Sequence, residues 1–160
     1  MKRLIIAGAV ALSAAAVAVP AVIMSAAPAG ASSAAAGTQF AADRATMGAA
    51  SDVFDQAFQA WEKSGAPTSQ TSSFVSVYVA AIVAEDHKLL DQSWPAGTMA
   101  DIDAVVQNDA AVEGAVSALP SQTSASLSGW FTSFDQGAAT AVADANIVRR
   151  DLGLPLASTS

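Results

Sequence analysis

The chain has 160 residues, of which 40 are alanine, one is histidine and none is cysteine. Without cysteine, disulfides, thiolate metal sites and cysteine nucleophiles are excluded, and one histidine excludes any site that needs two. The formal net charge of −7 argues against binding to nucleic-acid phosphates. The length allows one acidic domain of ordinary size together with a leader.

The first 31 residues have the composition of a secretory signal peptide. Two basic residues come first, the stretch 4–24 carries no charge, and small residues follow up to Ala31. This order predicts a cleavable leader with the cut between Ala31 and Ser32, or alternatively after Ala36. An uncleaved leader is the other interpretation, because the uncharged stretch is long enough to span a bilayer.

Three loop signals divide the remaining chain into four segments. Clusters of glycine, proline and small polar residues, which end helices, lie at 65–69, 94–98 and 120–124. Apolar residues between the clusters recur every three or four positions and predict helices over about 38–64, 72–93, 99–119 and 124–152.

Short connections make successive helices antiparallel. The predicted fold class is therefore all-α, an up-down-up-down four-helix bundle over residues 38–155. We expect residues 32–37 to form a flexible N-terminus and residues 156–160 a disordered tail, because the helical pattern does not extend into either.

Apolar stripes define the expected core. The first helix contributes Phe40, Met47, Phe54, Phe58 and Trp61. The fourth helix carries a seam of alternating four- and three-residue spacings, which consists of Leu127, Phe131, Phe134, Ala138, Ala141, Ala145, Val148 and Leu152. Trp94, in the second loop, is expected to cap one end of the bundle. The stripe of the third helix contains one charged member, Asp109.

Four carboxylates of the second and third helices are the weak candidates for a metal site, namely Glu85, Asp86, Asp109 and Glu113. Inward-facing carboxylates build di-iron sites in helical bundles, but those sites also need two Glu-x-x-His units, which are missing here. Oxygen ligands alone can hold calcium, yet no EF-hand loop is present. The favoured interpretation is structural, with Asp109 at a helix edge or paired with Arg44, Lys88 or Arg149.

No catalytic constellation is recognisable in the sequence. The Gly-x-Ser-x-Gly elbow, the phosphate loop and the dinucleotide fingerprint are all missing. His87 lies among charged residues, which favours an exposed helix face. His87 and Tyr78 do not share a helix face, so they are poorly placed to ligate one haem iron. We therefore expect no catalytic residue, no cofactor and no enzymatic activity.

Two local motifs and the leader resemble a known group of proteins. The motifs are Trp94-Pro95 before an aspartate-rich helix start, and the C-terminal run from Arg150 to Pro155. Together with the alanine-rich leader they resemble small exported helical proteins of high-GC Gram-positive bacteria. The resemblance implies export and an all-helical fold, and it implies no functional residue.

The expected function follows from the leader and the missing catalytic motifs. We expect an exported, non-enzymatic bundle, secreted or associated with the cell wall, which has a binding or structural role and an unknown protein or small ligand as its partner. One alternative is a carrier of a small ligand, haem or metal, and another is an inhibitor or adaptor of a secreted enzyme. Nucleic acid is not expected as a partner, and the membrane only through an uncleaved leader.

Overall fold

The computed structural model describes residues 32–157, which form four α-helices. The helices are α1 (Ser33–Ser64), α2 (Ser72–Asp91), α3 (Met99–Ala118) and α4 (Leu127–Asp151). Short 3-10 turns cover Thr68–Thr71 and Leu119–Ser121, and no strand occurs within 32–157. The all-α four-helix bundle predicted from the sequence is therefore confirmed.

The predicted leader, the Ala31 side of the expected cut and residues 158–160 lie outside the described residues. None of the helices within 32–157 combines the length and the apolar character needed to cross a bilayer.

Helix α1 begins earlier than the sequence pattern predicts. Ser32 is its N-cap, and the Ser32 hydroxyl accepts a hydrogen bond of 3.3 Å from the Ala35 amide. Ala36 is 3% exposed, and a Cβ built on Gly37 would lie 3.4 Å from the Leu154 side chain. The prediction of a flexible 32–37 segment is wrong, because this first turn of α1 packs against the C-terminal segment.

Helix α4 begins three residues later than predicted, at Leu127. Thr123 and Ser126 form a reciprocal turn in front of it. The Thr123 amide donates to Ser126 Oγ at 2.9 Å, and the Ser126 amide donates to Thr123 Oγ1 at 3.3 Å. These side-chain bonds offer the backbone an alternative to the helix, which explains the delayed start.

The end of α4 follows the sequence prediction. Gly153 has a φ of +71°, the left-handed conformation that glycine adopts without strain. The Leu154 amide then donates to the Arg149 carbonyl at 2.7 Å, which closes a Schellman-type ending.

Residues 154–157 lie back on the bundle. Arg149 Nε donates to the Pro155 carbonyl at 2.5 Å. Asn146 and Ala157 exchange two hydrogen bonds, of 2.7 and 3.1 Å. The described part of the predicted tail, Leu156 and Ala157, is therefore tied to α4 at Ala157.

Successive helices pack side by side and leave two separate apolar cores. We name each core after its tryptophan. The Trp130 core comprises Met47, Phe54, Phe58, Val75, Tyr78, Ile82, Val112, Val116, Leu119, Trp130, Phe134 and Ala141. The Trp94 core comprises Ala36, Phe40, Leu89, Trp94, Ile102, Val105, Ala145, Val148 and Leu152.

Aromatic rings fill the space between α1 and α4 in the Trp130 core. The ring centroids of Phe58 and Trp130 are 6.0 Å apart and nearly parallel, and those of Phe54 and Phe134 are 6.1 Å apart. The indole nitrogen of Trp130 donates to the Ala115 carbonyl on α3 at 2.6 Å. The seam predicted from the sequence does not include Trp130, although its side chain lies on the buried face of α4.

Trp94 closes the opposite end of the bundle, as predicted. Its ring is 6% exposed and meets Phe40 edge to face at 6.0 Å. Its indole nitrogen donates to the Leu89 carbonyl at 2.6 Å, so the polar edge of this buried ring is satisfied.

We expect Phe58→Ala to lower the free energy of unfolding by about 3–5 kcal/mol, because a ring that is 1% exposed leaves a cavity between α1 and α4. Val53→Ala on the same helix, where the side chain is 57% exposed, is the matched control and should change it by less than about 0.5 kcal/mol. Urea unfolding followed by circular dichroism measures both. Equal effects of the two substitutions would contradict the assigned core.

Candidate functional site

A layer of charged side chains separates the two cores. On α1 it lies between Phe40 of the Trp94 core and Met47 of the Trp130 core, and on α3 between Val105 and Val112. We call this set the polar layer, and it consists of Asp43, Arg44, Glu85, Asp86 and Asp109. The four carboxylates are each 5–9% exposed.

Arg44 joins three helices within the polar layer. Its Nη1 donates to Glu85 Oε1 at 3.1 Å and to Asp109 Oδ2 at 3.2 Å. The Arg44 side chain is only 15% exposed. Of the three partners predicted for Asp109, the structure selects Arg44, while Lys88 is exposed and Arg149 bonds the Pro155 carbonyl.

The hydrogen-bond donors to Asp43 are amides rather than cations. Gln39 donates to both Asp43 carboxylate oxygens at 3.2 Å, and Gln92 donates to Oδ2 at 2.8 Å. The hydrogen bond from Gln92 joins α1 to the C-terminal end of α2. A related bond at the edge of the layer joins Asn108 of α3 to Asp144 of α4.

The polar layer contains more acidic than basic groups, and the pKa values of three of its carboxyl groups are raised. Burial raises the pKa of Glu85 to about 7, although the charge of Arg44 opposes the shift. Burial, together with the charges of Asp109 and Glu113, raises the pKa of Asp86 to about 7. Burial also raises the pKa of Asp109, because it outweighs the Arg44 contact. Two carboxyl groups of this layer therefore titrate near neutrality.

The four metal candidates are only partly brought together. Glu85 and Asp109 meet, but the Arg44 guanidinium binds both, and Glu113 is half-buried. No group of three or more histidine, aspartate or glutamate side chains within 32–157 is arranged to hold a metal ion. The polar layer is thus an ion-pair layer in this structure, with the Arg44 guanidinium between Glu85 and Asp109.

The two residues considered for haem lie in different environments. Tyr78 is buried and stacks on Phe54 with a centroid separation of 4.6 Å. His87 is exposed on α2. The two side chains do not converge on one site, because one belongs to the Trp130 core and the other to the surface.

A groove of about 600 Å³ lies at the end of the bundle next to the Trp130 core. We call it the end groove. One wall is the end of α1 with the loop after it, and the other is the loop before α4 with the first turns of α4. Its lining residues are Trp61, Glu62, Gly65, Ala66, Pro67, Thr68, Gln122, Thr123, Ser124, Leu127 and Phe131.

Hydrogen bonds tie the two walls of the end groove together. Thr68 Oγ1 donates to the Gln122 carbonyl at 2.5 Å, which joins the two loops. The indole nitrogen of Trp61 donates to the Pro67 carbonyl at 3.2 Å, and the Trp61 ring lies 5.1 Å from Phe58 of the core. The groove is therefore held in shape before any ligand arrives.

The end groove combines aromatic surface with mostly uncharged polar groups. Trp61 and Phe131 are half-buried, so part of each ring remains accessible. Hydroxyl and amide groups come from the Thr68, Gln122 and Ser124 region, and Glu62 is the only charged residue of the lining. The volume of the end groove lies within the range of small-ligand sites.

The sequence reasoning missed the end groove, although the signal was present. Segments 65–69 and 120–124 were interpreted only as helix-ending loops. An up-down-up-down bundle places the first and third loops at the same end, so the serine, threonine and glutamine residues of the two loops lie close together there. The flanking aromatics Trp61 and Phe131 were assigned to the core.

Comparison with known proteins finds no match. No protein-family model fits the chain, and no curated protein or solved structure is similar to it.

We expect Arg44→Met to lower the free energy of unfolding at pH 7 by about 3–5 kcal/mol, because it leaves buried carboxylates without their cation. The loss should be smaller near pH 5, because protons then neutralise part of the carboxylate charge that Arg44 neutralises in the wild type. Arg150→Met, at an exposed arginine that pairs only with Asp151 at 3.4 Å, is the control and should cost less than about 1 kcal/mol. Urea unfolding at the two pH values measures these effects, and an equal loss for both variants would be the contrary result.

Proposed function

We propose that the chain is an exported, non-enzymatic binding module that takes an uncharged glycan in the end groove, outside the cell or at the cell wall. The observation that carries the proposal is the aromatic and hydroxyl-rich lining of the groove. The C–H faces of sugar rings carry a slight positive charge and pack on the negative faces of aromatic rings. Hydroxyls, amides and a carboxylate then accept and donate the hydrogen bonds that sugar hydroxyls need.

The pairing of Trp61 with Glu62 supports a sugar rather than a purely apolar ligand. The two residues are adjacent at the end of α1 and both line the groove. The Trp61 indole nitrogen is already bonded to Pro67, which leaves the ring surface for ligand contact. Glu62 is exposed and supplies an acceptor for neighbouring hydroxyls.

Charge argues against an anionic ligand. The chain carries a formal net charge of −7, and the charged residue in the groove lining is an acid. An anionic ligand would therefore meet repulsion both at long range and inside the groove. An uncharged ligand is accommodated without that cost.

The groove lining favours binding over catalysis. Covalent or acid–base catalysis needs a nucleophile or base that a second group activates. The serine and threonine hydroxyls of the lining have no histidine beside them, since His87 is exposed on α2 outside the groove. Glu62 is a single carboxylate, whereas glycoside hydrolysis ordinarily uses a pair.

The start of α1 supports the earlier of the two possible leader cuts. Ser32 caps α1 and Ala36 packs in the Trp94 core. A cut between Ala31 and Ser32 keeps both residues, whereas a cut after Ala36 removes them. The first product retains the complete helix, and the second loses its cap and a buried alanine.

We expect the chain to bind an oligomer of N-acetylglucosamine, and Trp61→Ala to weaken this binding at least tenfold, because the substitution removes the ring surface. Leu90→Ala, at an exposed apolar residue of α2 outside the groove lining, is the matched control and should leave the affinity unchanged. Isothermal titration calorimetry measures the affinities, and circular dichroism confirms that each variant is folded. No binding by the wild type, binding of a proline-rich peptide instead, or equal affinity for the Trp61→Ala variant would contradict the proposal.

We also expect the full chain, produced in a high-GC Gram-positive host, to reach the medium or cell wall with Ser32 as its first residue. Ala31→Leu should block this processing, because the cleavage position needs a small residue. Ala27→Leu, upstream of the cleavage pattern, is the control. Mass spectrometry and N-terminal sequencing check the product. Recovery of the uncut wild-type chain in the membrane fraction would contradict export as a free protein.

A further inference from the structure

The polar layer contains carboxylate oxygens that no protein group satisfies. Arg44 bonds one oxygen each of Glu85 and Asp109. Glu85 Oε2 and Asp86 Oδ1 are buried and have no hydrogen-bond partner among the described residues. Glu85 is 5% and Asp86 9% exposed, so water does not freely replace the missing partner.

A buried carboxylate oxygen without a partner is costly while the group is ionised. Transfer of such a charge out of water costs several kcal/mol unless it is paired and fully hydrogen-bonded. One guanidinium faces four carboxylates in this layer, so pairing is incomplete. A proton removes the charge and adds an O–H donor, which can bond a neighbouring carboxylate or carbonyl oxygen.

Charged groups of α1, α2 and α3 act on these two carboxyls, and groups of α4 act on their partners Asp109 and Arg44. The basic groups are Arg44 of α1 for both carboxyls and His87 of α2 for Asp86. Arg149 of α4 lies within electrostatic range of Arg44. The other ionisable groups around the layer are acidic, namely Asp43 of α1, Asp109 and Glu113 of α3, Asp144 of α4 and the Tyr78 hydroxyl of α2. Around the two carboxyls, acidic groups therefore outnumber basic ones on α3, while α1, α2 and α4 each contribute one of either kind.

We propose that Glu85 and Asp86 form a proton-binding site, which holds α2 tightly between α1 and α3 in mildly acidic medium and loosens that packing when the protons leave. We assign a proton to the two bare oxygens because Arg44 already pairs with Glu85 and Asp109 and no metal-holding group exists within 32–157. The two residues lie on the middle layer of the bundle, so their charge state affects both cores. This inference is independent of the glycan proposal.

The direction of the pH dependence follows from the two titrations. The ordinary pKa values are 4.5 for Glu85 and 3.8 for Asp86, and burial raises both to about 7. Between the ordinary values and about 7, the folded chain binds more protons than the unfolded chain. The stabilisation is therefore complete below the ordinary values, decreases as the pH rises through this window, and is lost above about 7.

The test measures the melting temperature of the full chain from about pH 5 to about pH 8 at constant ionic strength. We expect the wild type to lose several degrees over this range. The double variant Glu85→Gln with Asp86→Asn keeps the shape of both side chains but cannot ionise, so its melting temperature should depend much less on pH. The control is Asp103→Asn with Asp135→Asn, two exposed acids of α3 and α4, which should retain the wild-type slope.

A direct titration keeps the inference falsifiable if the double variant does not fold. Carbon NMR of the side-chain carboxyls in the wild-type chain should show two groups that titrate near pH 7. Hydrogen exchange of the α2 amides, corrected for the intrinsic pH effect, should be slower at acidic pH. A wild-type melting temperature that does not change, a double variant with the full wild-type slope, or titration of both carboxyls below about pH 5 would each overturn the proposal.

Discussion

The shared guanidinium of Arg44 is the contact on which the rest of the bundle depends. It is the cation that joins α1, α2 and α3 at one level, through Glu85 and Asp109. Charged groups are costly in an apolar core unless they meet their partners. A slip of one helix by a single turn would bring a carboxylate into one of the apolar cores. The polar layer thereby specifies one register of the helices. The many small alanine side chains would by themselves allow several registers.

The two ends of the bundle differ because the polar layer separates them. The Trp94 core closes its end with Phe40 and Trp94 and leaves the polar edge of that indole satisfied. In the Trp130 core, Phe58 contacts Trp61 and Phe131, which line the end groove. One end is built for stability, and the other presents a surface on which a ligand can bind.

The proposed proton site and the proposed ligand groove lie in separate parts of the bundle. Tyr78, close to the polar layer, stacks on Phe54, and Phe58 connects Phe54 to Trp61 in the groove wall. A chain of ring contacts therefore runs from Tyr78 on α2 to the wall of the end groove.

The sequence by itself determined the helices, the fold class and the apolar stripes, because helical periodicity and glycine or proline stops are local signals. It also marked Asp109 as a charge on a buried face, with Arg44 among three possible partners. Only the tertiary structure decided that one guanidinium serves both Glu85 and Asp109, that Trp130 is buried, and that two loops form a groove. Those outcomes depend on helix rotation and on the distance between α1 and α4, which long-range packing sets and no local pattern encodes.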